Sequence, residues 1–261
     1  MIGFLLLAFL IGPVALCAGP VPKFSAVNLG VLPGLTGTAA LDVSDCGEVV
    51  GYCGASTEGQ QRAFLWKNGV ISPVAPGGLR GWTRSQATGI NCRGDIALTF
   101  YALENEFWVP QAAVLSGGVL TPVTDRYHYS QSAKISNSVL IGEFTPRDQR
   151  NLWFSNPYNS FDPFSMRRTA TGWSNFKDLL PSAPSFLNTA NANGVNAYGQ
   201  IVGVNFPQGN FREFAFEQAY SWSGTNATTI PGGWVAKAVN DSGQIVGYKG
   251  SPVNSGIVGR I

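Results

Sequence analysis

The chain has 261 residues, with 17 Lys plus Arg against 15 Asp plus Glu and a net charge of +2. Charged residues make up only 12%, about half the usual share for a soluble domain, and basic residues never cluster beyond pairs, which excludes nucleic acid or an anionic membrane as the main partner. Hydrophobic residues reach 44%, with 32 Gly and 16 Pro, which excludes a disordered chain and predicts a turn-rich fold that buries roughly 70% of its unfolded surface.

Residues 1–18 read MIGFLLLAFLIGPVALCA, an uncharged apolar run broken by Gly12 and Pro13 and followed by small residues. This is the pattern of an export signal cleaved near Ala18. An uncleaved anchor and a lipoprotein attached at Cys17 are the alternatives this segment leaves open. No later segment is apolar enough to span a bilayer. The mature chain, 19–261, is therefore expected as a single domain without a membrane span, secreted or at the cell surface, with the periplasm as a further location.

Beyond the leader one motif recurs: an apolar residue, Asn or Ser, two variable residues, Gly, an acid or Gln, then apolar residues and often Gly. The clearest copies are Val43-Ser44-Asp45-Cys46-Gly47-Glu48-Val49-Val50-Gly51, Val195-Asn196-Ala197-Tyr198-Gly199-Gln200-Ile201-Val202-Gly203 and Val239-Asn240-Asp241-Ser242-Gly243-Gln244-Ile245-Val246-Gly247. Ile90-Asn91-Cys92-Arg93-Gly94-Asp95-Ile96-Ala97 loses the final Gly, and the copy starting at Ile135-Ser136 lacks the turn Gly. The copies start at 43, 90, 135, 195 and 239, so the spacings are 47, 45, 60 and 44.

A second motif follows the first four copies. Arg62-Ala63-Phe64-Leu65-Trp66-Lys67-Asn68-Gly69 aligns without gaps on Gln111-Ala112-Ala113-Val114-Leu115-Ser116-Gly117-Gly118. Gln218-Ala219-Tyr220-Ser221-Trp222 is a further copy, and Arg150-Asn151-Leu152-Trp153-Phe154 a weaker one. The long 60-residue spacing is then assigned to an insertion over 155–175.

Each repeat reads as four strands, A to D. A turn with a left-handed Gly joins A to B. Strand B carries paired β-branched residues such as Val49-Val50. A variable loop leads to strand C, and Asn68-Gly69 or Gly117-Gly118 turns it into D. Strand C is apolar at successive positions, so both faces must be covered. A propeller blade, held between two neighbours, meets that need. The Gly ending strand B permits close approach near a crowded axis.

The expected fold is thus all-β, a β-propeller of about five four-stranded blades. Residues 27–34 align on 70–77, which form a strand D, while residues 236–248 supply strands A and B and 256–261 a strand C. N- and C-terminal strands would then share one blade and remove the open edges.

Without the leader, three cysteines remain, Cys46, Cys53 and Cys92. Cys46 and Cys53 flank strand B, roughly 23 Å apart, whereas a disulfide needs Cα atoms within about 7 Å. Cys46 and Cys92 lie in equivalent turns of consecutive repeats and are the only pair left. With no C-x-x-C and a single histidine, His128, a zinc site lacks ligands. Asp42, Ser44 and Asp45 before Gly47 lack the terminal acid of a calcium loop and read as an Asx-type turn. No metal and no cofactor is implied.

The residue before each first apolar position is Asp42, Gly89, Lys134, Gly194 and Ala238. A propeller glycosidase wants carboxylates converging on the axis, and this set holds one acid. Asp42 reads as a channel-lining or turn-capping residue, and Lys134 as a channel or solvated cation. Asn226 and Asn240 stand in glycosylation sequons, Asn240 also at the repeated turn position.

Ala63-Phe64-Leu65-Trp66 and Asn240-Asp241-Ser242-Gly243-Gln244-Ile245-Val246-Gly247 resemble the two hallmarks of the HAF-repeat family of extracellular repeat proteins. The resemblance runs from about residue 27 to 248, with Arg62 or a Gln in place of the His expected before Ala-Phe. It implies export and repeat architecture, and no activity or catalytic residue.

In a four-strand meander the B–C and D–A loops emerge at one end. On the D–A side stand Trp82, Arg84, Arg126, Tyr127, His128, Tyr129 and Trp234, and on the B–C side Trp108, Phe206 and Phe211. Aromatics and Arg dominate contact energy in binding surfaces. The same rings could instead plug seams between blades. The expected function is a binding or adhesion module for an extracellular glycan or protein. A structural repeat without a defined ligand and a propeller glycoside hydrolase are the alternatives.

Overall fold

The computed structural model describes residues 25–54, 61–75, 83–104, 107–123, 127–146, 162–170, 172–178, 189–206, 218–223, 226–232, 235–248 and 258–260. These residues contain strands and turns and no helix. Sheet 1 comprises β1 (Thr38–Val43), β2 (Val49–Cys53), β3 (Arg62–Lys67) and β4 (Val70–Pro73). Sheet 2 comprises β5 (Arg84–Ile90), β6 (Ile96–Glu104), β7 (Phe107–Ser116) and β8 (Val119–Pro122). Sheet 3 comprises β9 (Tyr127–Ile135), β10 (Val139–Pro146), β11 (Asp162–Thr169) and β12 (Gly172–Asp178). Sheet 4 comprises β13 (Thr189–Val195), β14 (Ile201–Phe206), β15 (Gln218–Ser223) and β16 (Asn226–Thr229). Sheet 5 has three strands, β17 (Val235–Val239), β18 (Ile245–Tyr248) and β19 (Val258–Arg260). Each sheet is an antiparallel meander in chain order.

The turns explain why the chain reverses where it does. Gly47, Gly94, Gly199 and Gly243 follow the first strands at φ of 78, 77, 79 and 76°, a left-handed conformation that a side chain would strain. Asn68-Gly69 and Gly117-Gly118 have positive φ at both positions, the geometry whose twist matches a two-residue hairpin. Sheet 3 lacks the turn Gly and closes one residue earlier. Ser136 N donates to Val139 O at 2.7 Å, whereas Asn91 N donates four residues on, to Asp95 O.

Successive sheets pack face to face. Val50 and Ala63 of sheet 1 meet Ile90, Leu98 and Phe100 of sheet 2. Ala97, Ala112 and Val114 of sheet 2 meet Ile135, Leu140 and Phe164 of sheet 3. Ile141 meets Ala192, Ile201 and Trp222 across the next seam, and Val202 and Ala219 meet Ala236 and Ile245 across the last. Adjacent residues of a third strand, Ala63 and Phe64, are both buried because they point to opposite faces of sheet 1, Ala63 into the seam with sheet 2 and Phe64 against Leu32 and Cys53. Among the described residues no comparable packing joins sheet 5 to sheet 1.

Two expectations need correction. The third strand of sheet 3 is β11, not residues 150–154, which lie outside the described residues. Pro163-Phe164-Ser165-Met166 is the true counterpart of Ala219-Tyr220-Ser221-Trp222, since Phe164 faces Gly142 as Tyr220 faces Gly203. The supposed insertion over 155–175 therefore contains β11 and most of β12, and the extra length is shared between the β10–β11 connection and the stretch from β11 to β13. Residues 27–34 join no ladder among the described residues. Leu29, Leu32 and Leu35 instead lie on the outer face of sheet 1 against Cys53, Phe64 and Trp66. Residues 258–260 do form the third strand of sheet 5.

Candidate functional site

Every first strand carries a bulge at the same place, with Leu41, Thr88, Ala133, Asn193 and Lys237 as the extra residue. The bulge drives a carbonyl over the second strand. A Cβ at Gly51, Gly142, Gly203 or Gly247 would lie 1.9, 2.1, 1.9 or 2.0 Å from the oxygen of Ala39, Gln131, Asn191 or Val235. The crowding that requires these glycines thus comes from within each sheet. First strands also touch one another. A Cβ on Gly89 would stand 3.0 Å from Ile135 N, and one on Gly194 would stand 2.9 Å from Ala238 Cα.

The two charged residues of this inner column are paired. Lys134 Nζ lies 2.7 Å from Asp42 Oδ1 and donates to Leu41 O at 3.3 Å. Asp42 Oδ2 accepts from Ile90 N at 3.0 Å. The pair ties sheet 1 to sheets 2 and 3 along their first strands. A carboxylate committed to a lysine and an amide acts as a clasp between sheets.

At the end of sheet 2 where β5 begins and β6 runs into β7, Arg84 and Tyr101 are cross-strand partners. The Arg84 guanidinium lies 4.5 Å from the Trp108 ring centroid and 5.5 Å from that of Tyr101, both within cation–π range. Its Nη2 donates to Gln61 Oε1 at 2.7 Å, and Gln86 Nε2 donates to the same oxygen at 2.9 Å. Tyr101 OH donates to Gln86 Oε1 at 3.4 Å. Arg84 is only 9% exposed, and its Nε has no acceptor. Burial pushes the Tyr101 phenol above its ordinary value of 10.0, against the opposing charge of Arg84.

Of the expected site residues, the structure therefore brings Arg84 and Trp108 together. Trp108 sits in β7 rather than in a loop, because β6 and β7 pair out to Glu104 and Phe107. Tyr127, His128 and Tyr129 open β9, and Phe206 ends β14. Their backbones stand at the corresponding ends of sheets 3 and 4, with side chains outside the description. Trp82, Arg126, Phe211 and Trp234 lie outside the described residues.

The sequence reading missed Gln61, Gln86 and Tyr101. Its available signal was the dipeptide Ser85-Gln86, which recurs as Ser130-Gln131. Ser85 Oγ accepts from Ala63 N and Ser130 Oγ from Ala112 N, both at 3.0 Å, the same clasp across two successive seams.

The opposite end is held by turn-to-turn links. Cys46 and Cys92 form a disulfide with Cα atoms 5.4 Å apart, and Cys53 is free and buried. Asn91 Nδ2 donates to Ser136 O at 2.9 Å, Ser138 Oγ to Ala197 O at 3.2 Å, and Asn196 Nδ2 to Asn240 O at 3.1 Å. Asp95 pairs with Arg168 and accepts from Ser116 Oγ at 2.5 Å and Asn91 Nδ2 at 3.0 Å. Burial alone would raise the Asp95 carboxyl, but these donors and the Arg168 charge outweigh it and hold it below 3.8. Among the described residues no group of three or more His, Cys, Asp or Glu could hold a metal, and no helix is long and apolar enough to cross a membrane.

Comparison with family models and with curated proteins finds no match to this chain.

Proposed function

We propose that the chain is an exported repeat protein, similar to the HAF-repeat proteins, that binds a glycan or a protein ligand at the end of the repeat where the B–C and D–A connections emerge. The observation that carries the reading is the Arg84 guanidinium packed on Trp108 and Tyr101 at that end. Stacked aromatic and guanidinium groups supply large contact area at low conformational cost. The Cys46–Cys92 disulfide supports the export reading of residues 1–18, since such bonds persist in oxidising compartments. A broad glycan array with Trp108→Ala beside the parent chain tests the proposal. Binding lost in the variant at an unchanged melting temperature is the expected result. A fall in melting temperature with no ligand found favours the structural-repeat reading, which draws support from the Arg84–Gln61 bond across the seam of sheets 1 and 2.

The same proposal includes closure of the five sheets into a propeller. Leu32 supports it, because this buried residue rests on sheet 1, whereas its aligned counterpart, Ala75, packs in the seam between sheets 1 and 2. On sheet 5, Ala238, Asn240, Gln244 and Val246 border a hollow of about 220 Å³. In the closed form that face meets sheet 1. Deleting residues 27–34 is expected to lower the melting temperature by about 10 °C or more, and an unchanged melt overturns closure.

A further inference from the structure

We infer that the Arg84 cluster takes the carboxylate of an acidic sugar, so that the ligand is a uronate-bearing oligosaccharide. The inference rests on the binding role proposed above and narrows its ligand class. Arg84 is nine-tenths buried and carries a permanent charge. Its described neighbours are the neutral side chains of Gln61, Tyr101 and Trp108. The three ion pairs among the described residues, Lys67–Glu48, Lys134–Asp42 and Arg168–Asp95, do not include it.

Arg168 makes the contrast plain. That guanidinium is met by a carboxylate, a Ser hydroxyl and a second sheet, whereas Arg84 has one neutral amide oxygen on Nη2 and none on Nε. A cation withdrawn from water without a counter-charge is held at a cost that an arriving anion recovers. Guanidinium matches a planar carboxylate by geometry as well as by charge. The adjoining indole of Trp108, half-buried at the sheet end, suits the apolar face of a sugar ring. A flexible acidic peptide would satisfy the charge and leave that ring unused.

The test is calorimetric titration of the full chain with trigalacturonate and with its methyl ester, in which each carboxylate is capped and its charge removed. The acid is expected to bind at least about tenfold more tightly than the ester, with the gap narrowing as salt rises. Arg84→Gln is expected to abolish the preference for the acid over the ester. Because that variant removes a buried side chain, the parent chain is also followed by the NMR signals of the Arg84 guanidinium N–H groups, which should move with the acid alone. Equal affinity for acid and ester, or unmoved guanidinium signals while the acid binds, overturns the inference and leaves a neutral-glycan role intact. Polyglutamate bound as tightly as trigalacturonate overturns the sugar in favour of an acidic peptide. No binding by any of these probes or on the glycan array removes the binding role itself.

Discussion

The seam between sheets 4 and 5 and the outer face of sheet 5 differ at residues that the repeat makes equivalent. Val50, Ala97, Ile141 and Val202 are each 0% exposed, because each faces the next sheet. Val246 holds the same motif position and is 45% exposed. The first apolar position shows the mirror image. Ile90 and Ile135 are 4% and 6% exposed, while Val43 on sheet 1 is 61% exposed. The motif sets which face a residue occupies, and the neighbouring sheet sets whether that face is dry. In the proposed closed ring both exposed valines would line the seam between sheets 5 and 1.

The largest effect belongs to the glycine that ends the second strand. Gly203→Ala forces a Cβ to within 1.9 Å of a backbone oxygen, and Gly247→Ala to within 2.0 Å. Each is expected to cost about 3 kcal/mol or more in denaturant unfolding. The two costs should be alike, since the clash lies within the sheet and not in the seam. A mild effect at Gly247 alone would place sheet 5 outside the pattern of the other sheets.

Next comes the disulfide, which bridges a separation of 46 residues between sheets 1 and 2. Cys46→Ser with Cys92→Ser is expected to cost about 2–4 kcal/mol. Reduction of the parent chain should reproduce that loss in a thermal melt.

The valine pair tests the comparison directly. Val202→Ala is expected to cost about 2 kcal/mol from lost burial and the cavity left behind. Closure predicts the same cost for Val246→Ala. A value below about 0.5 kcal/mol would leave that face open to solvent and end the closed-ring proposal.

A smaller, pH-dependent effect distinguishes two inner seams. Thr99 of β6 meets Ser132 of sheet 3 through hydroxyls 3.0 Å apart. Glu143 holds the corresponding place on β10, and burial pushes its carboxyl from 4.5 up to about 7. The folded state therefore holds a proton that the unfolded state releases, and stability falls as pH rises from about 4.5 to about 7, then levels. Glu143→Gln should abolish that fall and gain about 1–2 kcal/mol at pH 8, measured by urea unfolding at several pH values. Asp95 works in the other direction: with its carboxyl held below 3.8, it contributes stability at neutral pH that is lost as pH falls through that range.

The smallest effect is at the inner column. Lys134→Met removes the partner of Asp42, yet the lysine side chain is 37% exposed and the amide of Ile90 remains. A loss of about 0.5–1 kcal/mol that shrinks in high salt is expected.

The repeat was legible because its signals are local. A left-handed Gly, an Asn-Gly turn and a β-branched pair each constrain a few neighbouring residues, and their recurrence at similar spacing announced the sheets before any contact was known. The Cys46–Cys92 pair followed from the same register, since equivalent turns of adjacent repeats must lie close. Sheet 3 escaped for the same reason in reverse. Its turn lacks the Gly, its third strand carries Pro163-Phe164-Ser165-Met166 without the Ala-Phe-Leu-Trp signature, and weak apolar similarity at 150–154 drew the alignment away.

What the chain determines alone is the meander of each sheet and the face each side chain presents, because backbone twist and period-two alternation act within a few residues. What only the tertiary structure decided is which partners those faces meet. Asp42 found Lys134 across 92 positions of sequence, Asp95 found Arg168, and Arg84 found Trp108 but no acid among the described residues. Such pairings depend on distances between sheets, and no local spacing in the chain encodes them.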